Sequence, residues 1–188
     1  MKLADYLKKE INFPDEIIKK FDSLWETNKL PKGYQLLSEG TNSQKVYYVE
    51  KGIIRMYYLK NGKDITQDFF EEKSFYVPAE KVFFNEYHPY YLELLEDCVI
   101  KFTDYSKIEA LLSQHQELNK FVRFIMVGVI KKLSERLCSI QFQTARERYR
   151  NLIATYPDIL LRAPLGHIAS YLGITQQTLS VIRAEKEK

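Results

Sequence analysis

The stretch Pro164–Arg183, PLGHIASYLGITQQTLSVIR, decides how the rest of the chain is read. Ile168, Leu172, Ile174, Leu179 and Ile182 fall at the spacing of two short helices that pack on each other. Pro164 suits a helix start, because its missing N–H lies in a turn where no partner is due. Ala169 is small where the two helices cross. Gly173 stands where the chain must reverse, and a positive φ is easiest for glycine. Thr175 follows as an N-cap, its hydroxyl placed to accept from the backbone N–H of residue 177 or 178. The pattern predicts a helix–turn–helix, with Gln176 to about Glu187 as its second helix. Two amphipathic helices joined by Leu-Gly also occur as ordinary helical hairpins.

With successive residues about 100° apart around a helix, Leu179 and Ile182 point inward. Gln177, Ser180, Val181 and Ala184 then point outward, with Gln176 and Arg183 on the flank. The N-terminal part of this outer face is polar, and that is the end which enters a major groove. Gln176, Gln177, Ser180 and Val181 are the candidate base-reading residues: glutamine pairs with adenine N6/N7, and valine touches a thymine methyl. Thr175, Thr178, Arg183, Arg146 and Arg148 are the candidate phosphate contacts.

Charge supports this placement only weakly. Residues 144–188 carry seven basic and four acidic side chains, whereas residues 1–143 carry 21 of each sign, so the net +3 lies in the C-terminal part. Two cysteines, Cys98 and Cys138, make neither a disulfide framework nor a four-thiolate cluster. The opening MKLADYLKKEINF is charged throughout, so no secretory leader is expected. The apolar run Phe124–Ile130 falls far short of the ~20 residues of a membrane span. The chain reads as cytoplasmic, with no membrane partner.

Upstream, Pro14 opens an amphipathic helix with the stripe Ile17, Ile18, Phe21, Leu24 and Trp25, expected to fray into Asn28-Lys29. From residue 31 the period changes to two. Strands are expected at Tyr34–Ser38, Lys45–Glu50, Ile53–Leu59, Asp64–Phe70, Phe75–Pro78, Tyr91–Leu95 and Cys98–Thr103, with a helical turn at Ala79–Glu86. Asn61-Gly62 is the strongest hairpin signal, since a type I′ turn needs positive φ at both central residues. A long helix then runs from about Glu117 to Ile140. Its apolar side is broad, and Leu118, Val122, Ile125 and Val129 alternate four and three like a two-stranded coiled coil, making them the candidate dimer interface. Phe142-Gln143 is a hinge candidate. Thr144 and Glu147 fit a capping box that restarts a helix, which must stop before Pro157.

The expected fold is α+β: an N-terminal antiparallel, jelly-roll-like β-roll, a long dimerisation helix, and a C-terminal helix–turn–helix. The corresponding segments are 1–113, 114–142 and 143–188. This order, with Val46-Tyr-Tyr-Val-Glu-Lys-Gly52 and Ile168-Ala-Ser-Tyr-Leu-Gly-Ile-Thr175, resembles the CRP/FNR family of bacterial transcription regulators. The resemblance implies a homodimer, a two-fold site on double-stranded DNA, a sensed signal, and RNA polymerase as a further partner. Cyclic-nucleotide binders of that family open their phosphate cassette with Gly-Glu and close it with Arg-Ser. The corresponding residues here are Val77-Pro78 and His88-Pro89, so cyclic AMP is not the expected signal. The aromatic residues of the roll leave room for an unidentified small-molecule effector, with Phe75, Tyr76, Lys81 and His88 as candidate pocket residues.

Two other functions compete with this reading. A metal-dependent cupin-like enzyme would need clustered histidines and carboxylates. His88, His115 and His167 lie in a loop, at a helix start and in the helix–turn–helix, so neither a catalytic nor a metal residue is assigned; no cofactor is assigned, haem through His88 or Cys98 being left open. The other competitor is an interaction module whose helix–turn–helix binds protein and no longer reads DNA.

Overall fold

The computed structural model describes residues 1–11 and 13–184. The chain is α+β and forms two compact units. The first holds Met1–Tyr58 and Asp68–Phe121; the second holds Leu59–Gln67 and the chain from Val122 onward. The boundary thus lies inside the long helix, and the residues around the Asn61-Gly62 turn group with the C-terminal helices.

The chain begins with a short helix α1 (Leu3–Tyr6) that continues as a π turn over Leu7–Ile11, and then α2 (Asp15–Asp22). Pro14 stands at the N-cap of α2, with Asp15 and Glu16 in its first turn. The helix does not fray into Asn28-Lys29 as expected. It ends at Asp22, and Glu26–Leu30 form strand β1. That segment is polar and nearly all exposed, so no periodicity marked it. What makes it a strand is antiparallel pairing with β8 (Cys98–Asp104), from Glu26 opposite Phe102 to Leu30 opposite Cys98.

The other strands are β2 (Gln35–Leu37), β3 (Lys45–Lys51), β4 (Ile54–Lys60), β5 (Lys63–Phe70), β6 (Phe75–Tyr76) and β7 (Tyr91–Leu94). A short helix α3 (Ala79–Phe84) lies between β6 and β7. The strands make two four-stranded sheets, ordered β1-β8-β3-β6 and β2-β7-β4-β5. Tyr47, Val49, Tyr76, Cys98 and Ile100 from the first sheet pack on Leu37, Ile54, Met56, Leu92 and Leu94 from the second. Period-two alternation gives each sheet this inner face.

The outer face of the first sheet is covered as well. Tyr48 and Phe75 meet there at a tilt, 4.8 Å between ring centroids, and Tyr6, Trp25 and Phe121 each lie about 6 Å from Phe75. Tyr48 also donates its hydroxyl to the Met1 carbonyl at 3.0 Å, tying the N-terminus to β3. Gly52 takes φ +105°, and a Cβ there would stand 2.2 Å from Cys98 Sγ, so the Lys51-Gly52 turn requires glycine for space as well as for torsion.

After α4 (Tyr105–Gln114), helix α5 runs unbroken over Gln116–Phe142, slightly longer at both ends than expected. In the second unit, α6 (Ala145–Thr155) starts at the expected capping box. Thr144 N–H donates to Glu147 Oε2 at 2.8 Å, and Glu147 N–H donates back to Thr144 Oγ1 at 3.3 Å. The Thr144 backbone N–H, and after it the Thr144 hydroxyl, which donates to the same carboxylate oxygen at 2.8 Å, hold the Glu147 carboxyl below its ordinary range. Tyr156 leaves helical geometry before Pro157. A one-turn helix α7 (Ile159–Arg162), not expected from the sequence, precedes α8 (Leu165–Leu172) and α9 (Gln176–Ala184). The expected extension of the last helix to Glu187 lies outside the described residues.

Candidate nucleic-acid interface

Helices α8 and α9 meet through Ile168, Ala169, Leu172, Leu179 and Ile182, all buried. Between them Gly173 is left-handed at φ 67°, and the N–H of Ile174 donates to the Ala169 carbonyl at 3.0 Å, closing the helix end. Thr175 caps α9: its Oγ1 accepts from the Thr178 N–H at 3.1 Å. The turn thus fixes where the second helix begins and which way it rotates.

That rotation leaves Gln176, Gln177, Thr178, Ser180, Val181 and Ala184 exposed. Gln177 and Val181 stand on the open face as expected. Ser180 donates its hydroxyl to the Gln176 carbonyl at 3.0 Å, so only its oxygen lone pairs remain to meet a partner. Gln176 lies over α8, where a Cβ on Gly166 would come within 2.6 Å of its side-chain nitrogen.

The five candidate phosphate residues separate into groups. Thr175 and Thr178 are exposed, with their hydroxyls 2.9 Å apart at the start of α9. Arg146 is exposed on α6, and Arg183 is half-buried in the last turn of α9. Arg148 is not free for phosphate. Its Nε donates to the Leu172 carbonyl at 3.0 Å and its Nη1 to the Gln143 carbonyl at 2.7 Å. An arginine near a helix start looks like a phosphate ligand in sequence, and only the folded chain shows that its fork is occupied.

The four residues of the expected dimer seam differ in how open the single chain leaves them. Leu118 is wholly buried within its own unit. Val122 and Ile125 are half-buried, and of the four only Val129 is exposed. The single chain leaves Phe124, Val127 and Val129 open, and beside them one longer row, Met126, Ile130, Leu133, Leu137 and Ile140, with Ile130 64% exposed. The residues of this row also alternate four and three, one position along from the expected seam and so about 100° around the helix. The half-buried residues farther along α5 are Lys132, Arg136 and Ser139. Arg136 donates to the Tyr171 carbonyl with its guanidinium 3.9 Å from the Tyr171 ring, and Lys132 lies over Tyr156. A broad apolar stripe in sequence therefore conceals two faces, of which the inward one turns cationic after Ile125.

The four candidate pocket residues of the roll do not converge. Phe75 and Tyr76 are consecutive on β6, so their rings point to opposite faces of the sheet: Phe75 joins the outer aromatic cluster and Tyr76 the inner core. Lys81 donates to the side-chain oxygen of Asn85 at 2.6 Å, within its own helix end. His88 is buried rather than solvated, and its Nε2 donates to the Ser43 carbonyl at 2.8 Å. Among the described residues, His88 Nδ1 and the Tyr76 hydroxyl are buried without a hydrogen-bond partner. Burial, aided by the Glu80 carboxylate, pushes the Tyr76 phenol well above its usual range.

Among the described residues, no group of three or more His, Cys, Asp or Glu side chains is arranged to hold a metal ion, and no helix is long and apolar enough to cross a membrane.

Residues 27–115 match the cyclic nucleotide-binding domain family. No curated protein matches the chain by sequence. Among solved structures, FixK2 from Bradyrhizobium japonicum superposes with a TM-score of 0.74 at 18% identity, over 86% of this chain and 83% of its own. A CooA mutant from Carboxydothermus hydrogenoformans gives 0.71 at 18% identity, over 100% and 84% of the two chains. A protein assigned to the crp/fnr family of transcriptional regulators, from Eubacterium rectale, gives 0.71 at 12% identity over 95% and 85%.

Proposed function

We propose, for a chain with the fold of the CRP/FNR transcription regulators and a cyclic nucleotide-binding domain over residues 27–115, a homodimeric, sequence-specific DNA-binding regulator rather than an enzyme. The observation that carries this reading is the outer face of α9. Gln177, Ser180 and Val181 are open on it while Leu179 and Ile182 are buried behind, on a helix whose start is fixed by the Thr175 cap. Such a face pairs glutamine amides with adenine and valine with thymine.

The open row Met126, Ile130, Leu133, Leu137 and Ile140 is the proposed dimer seam, replacing the one expected from sequence. Two copies joined there would present two α9 helices to half-sites about one helical turn, roughly 34 Å, apart. RNA polymerase is the natural further partner of such a regulator.

The roll is the proposed sensor of a signal other than cyclic AMP. Helix α3 starts after Pro78, which has no N–H to offer a phosphate. Among the described residues the Tyr76 hydroxyl and His88 Nδ1 are buried without a hydrogen-bond partner, which keeps both as effector candidates; the Phe75 ring belongs to the outer aromatic cluster instead.

Selection of bound fragments from random duplex DNA, followed by titration across salt, tests the central reading. The expected result is a palindromic site bound with a steep salt dependence. Failure to enrich any sequence, with no salt-dependent binding, would leave the α8–α9 pair as a protein-binding element.

A further inference from the structure

Lys60-Asn61-Gly62-Lys63 make the turn between β4 and β5, with Asn61 at φ 53° and Gly62 at φ 73°. This tip belongs to the same compact unit as α8 and α9. Ser170, on α8, holds it in two ways. Its Oγ accepts from the Thr66 N–H at 3.0 Å and donates to the Asp64 carbonyl at 3.4 Å. The Asp64 carboxylate is turned to the same helix, 4.0 Å from His167 Nε2.

Between the tip and the helical pair lies an open cleft of about 610 Å³. Gly62 and Lys63 line one side, and Gly166, Ser170 and Gln176 line the other. Gly62 leaves its backbone uncovered, with nothing within 4 Å of where a Cβ would stand, which permits close approach of another chain; Gly166 is covered by the Gln176 side chain. Lys60 and Lys63 are exposed, and neither is in an ion pair among the described residues. Gln176, at the far wall, begins the helix whose outer face carries the proposed base-reading residues.

We propose that this cleft receives one DNA strand beside α9, with Lys60 and Lys63 contacting its phosphates. The β4–β5 turn then acts as a basic wing supplied from elsewhere in the chain. The proposal rests on the DNA-binding reading above. A helix inserted in a major groove about 12 Å wide has a phosphate strand on each flank, so a basic turn fixed beside its first residue is placed to meet one of them. Such contacts position the protein and carry no sequence information. Each should release about one counterion.

The test uses the full chain, its selected duplex and an unrelated duplex. The double variant Lys60→Gln/Lys63→Gln should lose about tenfold in affinity on both, with the slope of log K against log salt reduced by about two and base preference retained. Ser170→Ala, which keeps the charge but releases the tip, should show part of the same loss. An unchanged slope in the double variant overturns the proposal. Tighter binding by either variant also overturns it and identifies the tip as a block on this face. Absence of DNA binding by the parent protein removes the underlying reading as well, so the two failures are distinct.

Discussion

Arg148 Nε donates to the carbonyl oxygen of Leu172, the last residue of α8, at 3.0 Å. The same guanidinium reaches the Gln143 carbonyl, just past the end of α5, so one side chain closes two helix ends. Charged donors to terminal carbonyls contribute about 1.5–3 kcal/mol each when sheltered, and less at a half-buried site. Arg148→Ala should therefore lower stability by about 1–3 kcal/mol while leaving the salt slope of DNA binding unchanged. Arg148→Lys should rescue little, because an ammonium cannot span both carbonyls. Thermal unfolding alongside a salt titration separates this from a phosphate role, which would move the slope.

Gly52→Ala should be among the most damaging single-methyl changes in the roll. It adds a Cβ 2.2 Å from Cys98 Sγ at a backbone φ of +105°. Strain of both kinds predicts a loss of about 2–4 kcal/mol by denaturant unfolding. Adding Cys98→Ala should recover only part of the loss, since the Cβ and Cα of residue 98 would still stand 3.0 and 3.1 Å from the new methyl. Full recovery would show that torsion contributes nothing at this turn.

Leu137→Asp and Ile130→Asp should give monomers by sedimentation, since each would place two unpaired charges in a dry seam. Leu118→Ala should instead cost about 2–5 kcal/mol of folding stability and keep the dimer, because Leu118 is already buried within one chain. The reverse pattern would restore the seam expected from sequence.

Gln177→Ala should cost about 1–3 kcal/mol on the selected site and relax preference at one base pair. Ser180→Ala should cost less, because its proton is already bonded to the Gln176 carbonyl. Equal binding of parent and Gln177→Ala to every selected duplex would make this glutamine a solvated surface residue.

The cap of α6 gives a pH dependence of known sign. The folded pKa of Glu147 lies below the ordinary 4.5, chiefly through the bond from the Thr144 backbone. Its stabilisation is therefore fully present above the ordinary carboxylate value and is lost as pH falls through the lower folded value. Glu147→Gln should flatten that part of an acid-unfolding curve, and Thr144→Ala should cost about 1 kcal/mol at neutral pH.

Local rules carried the sequence reading where backbone chemistry decides the outcome. Asn61-Gly62 adopts the two positive φ values its turn requires, Gly173 is left-handed, and Thr144 and Glu147 form their box. Readings failed where a partner from another part of the chain decides. The strand Glu26–Leu30 exists because β8 lies beside it, and its own residues carry no alternation. On α5 the apolar positions satisfied more than one face, and only burial of Leu118 against the roll and of Arg136 against Tyr171 set the rotation. The Lys60–Lys63 turn was legible as a hairpin, but its place beside Gln176 spans more than a hundred residues of sequence.

The open row on α5 bears on what can be measured for one chain alone. Five large apolar side chains facing water make the isolated protomer an unfavourable reference state, and pairing would remove them from solvent. For a molecule that unfolds from dimer to two separate chains, each tenfold rise in total concentration adds about 1.4 kcal/mol per mole of dimer. The melting temperature of such a molecule is a function of expression level, and a variant can fail in a cell through scarcity with every local contact intact.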